Sequence, residues 1–192
     1  MFLRLFIVMT VLFVSLSACT PNSNEAIQNE LQPIRRAMLG GTLNDQIAMI
    51  QYTRTACATV EGLGGPPSCP DGVVVGTEVE VFPVLGSEGS FMKPEDMETF
   101  LDNSIVKNLY AVYRVTPNPN IEPYFPEGEY AMLFERDLND ILSPVILRVQ
   151  DGKIVRMDFR MGISPEDILK EIPAEQIVLT PQEAQAWMES IR

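Results

Sequence analysis

The sequence predicts an α+β protein in which N-terminal helices pack on a curved, mainly antiparallel sheet of four to five strands, with short helices at the C-terminal end. Three observations predict this class. Apolar residues recur at helical spacing over residues 27–38. From Val73 onward they alternate with polar residues, as in a half-buried strand. Asp151-Gly152 separates two alternating runs, which is a strong hairpin signal.

The first residues have the layout of a signal peptide. A single cation, Arg4, precedes an apolar run over residues 5–14, and small residues follow it. The run is shorter than the ~20 residues needed to span a bilayer. We therefore predict that residues 1–18 are a cleaved signal peptide rather than a permanent transmembrane helix.

The cleavage region, Leu16-Ser17-Ala18-Cys19, resembles the lipobox of bacterial lipoproteins. The resemblance implies cleavage before Cys19 and at least two acyl chains on that residue, because one chain gives only marginal membrane binding. It implies a cell-envelope location, lipid-anchored on the extracytoplasmic side of a membrane. Thr20, rather than an aspartate, follows the cysteine, as in lipoproteins sent to an outer membrane where one exists. Residues 19–24 would be a lipidated tether and residues 25–192 a single α+β domain; the alternative is an ordinary secretory peptide with an incidental cysteine.

Composition excludes several classes of function. The chain has 14 Lys and Arg against 26 Asp and Glu, a formal net charge of −12, which argues against a nucleic-acid partner. Solubility is the simplest account of the acidity. The chain has no histidine, which excludes Ser-His-Asp and Cys-His catalysis and removes the commonest ligand of catalytic zinc.

Two cysteines remain if Cys19 carries lipid. An even pair in an oxidising compartment predicts a disulfide between Cys57 and Cys69. The intervening loop, residues 58–68, is rich in glycine and proline, which supply the turns of a small ring. Two free thiols or a metal pair are the alternatives, but Cys-x11-Cys without further soft ligands is a weak metal site.

The first predicted helix begins near residue 24, where apolar residues at positions 27, 31, 34 and 38 form one stripe. Pro33 lies inside that stripe, so a break or kink is expected there. Gly40-Gly41 ends the helix. Thr42-x-x-Asp45 has the spacing of a capping box and predicts a second helix, which should end near Cys57.

After the second helix the period changes to two, and strands alternate with turn-rich loops and short helices. Pro94 can open a short acidic helix. Ser164-Pro165 and Thr180-Pro181 each place a cap and a proline at the start of a helix, and Trp187 on the last one should pack back on the body. The predicted elements are a strand over 73–81, a loop over 86–94, a helix over 95–101, strands over 109–115 and 130–136, and a hairpin over 145–160.

One stretch carries a second resemblance. Ile34-Arg35-Arg36-Ala37-Met38-Leu39-Gly40-Gly41-Thr42-Leu43 resembles the link between the first helices of NTF2-like domains. A helical pair on a curved sheet is similar in outline to NTF2-like and cystatin-like families. The resemblance implies a cone-shaped fold with a small-ligand pocket, although the third helix that NTF2-like domains usually place before the sheet is not evident.

The hairpin allows side chains to be assigned to faces of the sheet. A two-residue turn predicts the pairs Gln150 with Lys153, Val149 with Ile154, Leu147 with Arg156, and Val145 with Asp158. One face then holds Arg156, Asp158 and Arg160 over an apolar floor, and the other resembles core. The first face could line a pocket for a small anion or polar ligand. The alternative is an exposed face whose charges pair across strand ends, each pair worth ~0–1 kcal/mol.

Two groups of acids have oxygen ligands close together. They are Glu95-Asp96-x-Glu98 and Asp137-x-Asn139-Asp140, and neither has the spacing of a calcium loop. The helix dipole explains acids in a first turn beside Pro94. We therefore predict no metal and no cofactor.

Two functions remain. The first, favoured by the anchor and the lack of histidine, is a non-enzymatic binding or interaction module held at a membrane through Cys19, with a protein or small-molecule partner in the cell envelope. The second is an NTF2-like domain that binds or transforms a small ligand, with Asp158 as acid or base and Arg156 or Arg160 holding an anion.

Pro117, Pro119, Pro123 and Pro126 predict an extended, proline-rich loop. Three aromatic residues near these prolines form either a surface for a partner or glycan or a pin that holds the loop on the sheet: Tyr124, Phe125 and Tyr130.

Overall fold

The computed structural model describes residues 23–59, 64–122, 124–138 and 141–190. The predicted signal peptide and Cys19 lie outside these ranges, as does most of the tether. No helix within these ranges is both long enough and apolar enough to cross a membrane.

Two helices open the described chain, α1 (Ser23–Gly40) and α2 (Leu43–Met49). The predicted break is absent, since α1 continues through Pro33. The chain leaves the helix at Gly41, where an added Cβ would lie 2.8 Å from the backbone of Ala37. The capping box is confirmed: the amide of Asp45 donates to the Thr42 hydroxyl, and the Thr42 amide donates to the Asp45 carboxylate.

The second helix is shorter than predicted. It ends at Met49, and a strand, β1 (Thr53–Ala56), occupies the segment before Cys57. Two β-branched threonines fall within these four residues and favour extended backbone. The predicted end of this helix near Cys57 is therefore wrong.

The sheet is larger than the sequence predicts. The further strands are β2 (Glu78–Leu85), β3 (Gly89–Met92), β4 (Leu109–Arg114), β5 (Tyr130–Phe134), β6 (Asp137–Leu138), β7 (Ile141–Leu142), β8 (Val145–Gln150), β9 (Lys153–Phe159) and β10 (Ile177–Leu179). Eight strands form the main sheet in the order β1-β2-β9-β8-β5-β4-β10, with β3 beside β2. The pairing of β2 with β9 is parallel and the other pairings are antiparallel. The α+β class is confirmed, and the prediction of four to five strands is too low.

The extra strands are short. β1 and β3 have four residues each and β10 has three, too few for alternation to identify them. β3 lies in the predicted 86–94 loop and forms a hairpin with β2. The valines at 73–75 precede β2 rather than belonging to it, and Val74 and Val75 are exposed.

Short helices complete the fold: a 3₁₀ turn (Pro94–Asp96) leading into α3 (Met97–Asp102), then α4 (Pro165–Lys170) and α5 (Pro181–Glu189). Both predicted caps are confirmed, because the hydroxyls of Ser164 and Thr180 accept amide N–H groups of the first turn.

The sheet is covered on both faces. One face, with α1 and α5, builds the main core, and the predicted stripe of α1 packs there. The other face, with α4, builds a smaller core. The smaller core contains Ala111, Tyr113, Ala131, Leu133, Ile146 and Ile168.

The β8–β9 hairpin turns at Asp151-Gly152 as predicted, and both residues have positive φ, 50° and 67°. Gln150 pairs with Lys153 and Val149 with Ile154, but the register then shifts by one residue. The pairs beyond the shift are Arg148 with Arg156, Leu147 with Met157, Ile146 with Asp158 and Val145 with Phe159. The predicted pairs Leu147–Arg156 and Val145–Asp158 are therefore wrong, because one extra residue in β9 moves every later side chain to the opposite face.

The predicted disulfide is present. Cys57, immediately after β1, is bonded to Cys69 with a Cα–Cα distance of 4.8 Å. A backbone bridge between Ala58 and Ser68 lies beside it. The bond ties the end of β1 to the segment that leads into β2.

Candidate functional site

The register shift decides where the predicted site residues lie. Arg156 and Asp158 share the face of Ile146 and Arg148, the one covered by α4, rather than the main-core face. Both are buried, with 1% and 4% of their surfaces exposed. Arg160 follows the end of β9 and is exposed. The three predicted residues are thus divided between a buried pair and an exposed cation.

Asp158 is held between two arginines. Its Oδ1 accepts from Arg156 Nε at 2.6 Å, and its Oδ2 accepts from Arg156 Nη2 at 3.1 Å and from Arg148 Nε at 2.8 Å. Arg156 Nη1 donates to the carbonyl of Phe125 at 3.1 Å. We call these three side chains, Arg148, Arg156 and Asp158, the arginine–aspartate cluster.

Burial and charge in the arginine–aspartate cluster shift the pKa values of Arg148 and of the neighbouring Tyr113. Burial lowers the pKa of Arg148, but the nearby Asp158 carboxylate and Tyr113 outweigh it, so the pKa is raised overall. Burial, with a smaller contribution from Asp158, raises the pKa of the neighbouring Tyr113 phenol. Because both oxygens of Asp158 accept hydrogen bonds from guanidinium groups, this carboxylate is engaged as a counter-ion, and its bond network reaches the loop at Phe125.

The aromatic residues of the proline-rich loop pack inward. Phe125 is buried and stacks on Phe91, with ring centroids 5.0 Å apart, and Tyr124 meets the same ring edge-on at 5.8 Å. Tyr130 is buried in β5 with Arg114 near its ring. Of the two interpretations of these aromatics, pinning of the loop is the one their packing supports.

A cavity of about 910 Å³ lies elsewhere, between the end of α1, the start of β4 and α5. We call it the helix cavity. Its lining residues are Arg35, Arg36, Leu39 and Gly40; Lys107, Asn108, Leu109 and Tyr110; Glu135; and Pro181, Gln185, Met188 and Glu189.

Arg35 is the buried cation of this cavity. Only 2% of its surface is exposed. Its guanidinium lies 4.2 Å from the centre of the Trp187 ring, and Nη1 donates to the Trp187 carbonyl. Its Nη2 is buried and has no hydrogen-bond partner in the described part of the chain. Burial, and then the neighbouring Arg36, lower the pKa of the group, and no carboxylate of the described residues forms an ion pair with it.

The two carboxylates of the cavity wall are engaged by neutral donors. Glu135 accepts from the Asn108 side-chain amide at 2.9 Å, and Glu189 accepts from the Gln185 side-chain amide at 3.1 Å. Neither forms an ion pair with Arg35, whose partners are the carbonyl and ring of Trp187. The cavity lining therefore combines three cations, Arg35, Arg36 and Lys107, with two carboxylates, Glu135 and Glu189.

The sequence patterns did not predict this site, although one feature of the sequence points to it. Arg35 and Arg36 are adjacent in a chain with few cations, and Arg35 lies one residue from the apolar position Ile34. Trp187 was expected only to pack on the body, as its contact with the main core confirms. Their meeting depends on α5 returning to α1, which the local sequence cannot specify.

A second, smaller groove of about 580 Å³ lies beside the disulfide loop. Its walls include Pro66, Pro67, Phe91 and Pro94. Loop residues and the strands β2 and β3 contribute about equally to it, and it carries fewer charged side chains than the helix cavity.

Both the helix cavity and the second groove are large enough for a small molecule, but of the two only the helix cavity is lined by a buried cation with an unpartnered donor. The arginine–aspartate cluster, in contrast, already pairs its own charges. Within the ranges described, no three Cys, Asp or Glu side chains converge as metal ligands. No protein-family model matches the chain, and no curated protein is significantly similar to it.

Proposed function

We propose that this chain is a lipid-anchored, non-enzymatic binding protein of the bacterial cell envelope, with the helix cavity as its binding site. The resemblance of Leu16-Ser17-Ala18-Cys19 to a lipobox supports the anchor. The Cys57–Cys69 disulfide supports an oxidising, extracytoplasmic environment, since cytosolic thiols are kept reduced.

One observation carries the binding role: the buried Arg35, lining a cavity, has a donor with no partner among the described residues. Buried donors are nearly always satisfied, and an unsatisfied one costs about 1–3 kcal/mol. Such a group is retained at a functional site more readily than in a structural core. The cavity is also within the size range of small-molecule sites.

The second candidate is an NTF2-like domain that binds or transforms a ligand near Arg156, Asp158 and Arg160. Burial of Asp158 favours it, because a closed site would shield this carboxylate from water. The hydrogen bonds from Arg148 and Arg156 to both carboxylate oxygens weigh against it. Saturable ligand binding that Arg160→Gln, a change at an exposed side chain, abolishes and Arg36→Gln leaves intact would favour this candidate over the helix cavity.

The anchor is tested with Cys19→Ser in a host that processes lipoproteins. We expect the wild-type chain in the detergent-soluble membrane fraction and labelled by radioactive palmitate, because acyl chains on Cys19 hold it there. The serine variant should be unlabelled and should leave the membrane. Ser17→Thr, a small change at a non-reacting position, is the matched control and should remain anchored. Membrane retention of Cys19→Ser would contradict the proposal.

A further inference from the structure

In the described part of the chain, two arginines, Arg35 and Arg156, are almost fully buried, and they differ in their hydrogen-bond partners. Arg156, with 1% of its surface exposed, donates three hydrogen bonds, two of them to a carboxylate. Arg35, with 2% exposed, donates one, to a carbonyl. The fold thus supplies an anion to one buried guanidinium and, within the described residues, none to the other.

The missing partner would have to reach Arg35 through the helix cavity, which it lines. The exposed Arg36 lines the same cavity and is close enough to Arg35 to lower the pKa of that group, after burial. A guanidinium presents a planar fork of donors that matches a carboxylate or phosphate. Because Nη2 itself is closed to solvent, binding requires a side-chain adjustment at the cavity wall.

The rest of the cavity wall restricts the ligand. Leu39, Leu109, Tyr110 and Met188 supply apolar surface. Glu135 and Glu189 also line the cavity and disfavour a ligand that carries two or more negative charges, while Lys107, a further cation of the lining, already has an interaction within the protein. A single negative charge on an apolar body fits both features.

We propose that the helix cavity binds a small monocarboxylate with an apolar body, its carboxylate held by Arg35 and Arg36 and its body lying against Leu39, Leu109 and Met188. The ligand takes the position of the missing counter-ion. This proposal rests on the proposed function and names the ligand class of that site.

Trp187 is the only tryptophan of the chain and contacts Arg35, so its fluorescence reports on the site. Octanoate is titrated into the exported Cys19→Ser full chain, with 1-octanol, octylamine and inorganic phosphate as comparison probes. We expect a saturable fluorescence change with octanoate, and at least a tenfold weaker effect from each other probe at equal concentration. Isothermal titration calorimetry checks that the change is binding.

We expect the variant Arg36→Gln to fold normally, because this side chain is exposed, so a change in its affinity reports on binding alone. It should weaken octanoate binding about tenfold, and Arg35→Lys, which loses the planar fork, should weaken it further. Arg54→Gln removes an exposed cation of β1 outside the cavity and should leave the affinity unchanged. Circular dichroism confirms that each variant is folded.

Three results would overturn the proposal: no saturable binding of octanoate, equal binding of 1-octanol, or an affinity that Arg36→Gln leaves unchanged. Binding of octanol or octylamine alone would keep the cavity as the site of the proposed function and reject only the carboxylate. Absence of binding by every probe would reject the cavity itself, while the membrane anchor is judged separately by fractionation.

Discussion

At the scale of single residues, Asp158 is the carboxylate that pairs with two arginines on one face of the sheet. It is the shared acceptor of Arg148 and Arg156, and Arg156 is almost fully buried. Asp158→Asn leaves two guanidinium groups without a counter-ion. We expect the free energy of unfolding to fall by about 3 kcal/mol, the range found when one partner of a buried ion pair is removed, measured by urea unfolding of the Cys19→Ser chain.

The control for this prediction is Asp71→Asn, which neutralises an exposed acid in a turn. It should leave the urea midpoint almost unchanged. Equal midpoints for Asp158→Asn and the wild-type chain would mean that the two arginines are satisfied without Asp158, contrary to the hydrogen bonds described above.

The site residues also show how much of the structure the sequence alone can predict. Alternation and the Asp-Gly turn place Arg156 and Asp158 on one strand correctly. A single extra residue after Ile154 then reverses the face on which they lie. A bulge of this kind leaves the residue pattern of β9 looking regular. The sequence could not identify Arg35 either. Its unpartnered donor results from the packing of α5 against α1, which brings no carboxylate of the described residues into an ion pair with it.

At the scale of elements, the turn between α1 and α2 offers a sharp test, because two adjacent glycines differ in their surroundings. A Cβ on Gly41 would lie 2.8 Å from both Cα and O of Ala37, whereas a Cβ on Gly40 would meet nothing within 4 Å. We expect Gly41→Ala to lower the free energy of unfolding by about 1–3 kcal/mol through overpacking. Gly40→Ala should be neutral or slightly stabilising, since alanine favours helix.

Denaturant unfolding of the two alanine variants side by side provides the measurement. Since the substitutions are chemically the same and one residue apart, a helix-propensity effect alone would shift both midpoints in the same direction. A Gly41→Ala chain as stable as Gly40→Ala would show that the backbone at the end of α1 relaxes to accommodate the new methyl group.

Elements with their own local signal were predicted best. The caps at Thr42, Ser164 and Thr180 and the turn at Asp151-Gly152 act through neighbours in sequence, and all four are observed. The four-residue β1 and β3 and the three-residue β10 exist because a neighbouring strand supplies their hydrogen bonds. The sheet is consequently larger than alternation alone indicates.

At the scale of the whole molecule, the helical and strand periods are sufficient to predict an α+β protein, because they determine which surfaces must be buried. They do not determine the order of strands. The parallel pairing of β2 with β9 joins segments far apart in sequence, and the helices that pack on the two faces of the sheet also come from distant parts of the chain. The cavity between α1 and α5 is a product of the same long-range packing.

The Cys57–Cys69 disulfide relates the stability of the fold to the redox state of its surroundings. Cys57 is buried, with 2% of its surface exposed, and its bond to Cys69 closes a loop whose sequence separation is 12. Loop-entropy models give about 3 kcal/mol for a ring of this size. We expect a reductant to lower the free energy of unfolding of the wild-type chain by about that amount. The double variant Cys57→Ala/Cys69→Ala should start from the lower value and should not respond to the reductant.

The same comparison tests the compartment. A chain that lacks residues 1–18 and is made in a reducing cytoplasm should match the reduced wild-type protein, and a chain made in an oxidising compartment should match the bridged one, as free-thiol alkylation followed by mass measurement would verify. If the bridged and reduced forms unfold at the same urea concentration, the disulfide contributes nothing to stability. In that case the need for an oxidising environment would no longer follow from the stability of this fold, and the cell-envelope location would depend on Cys19 alone.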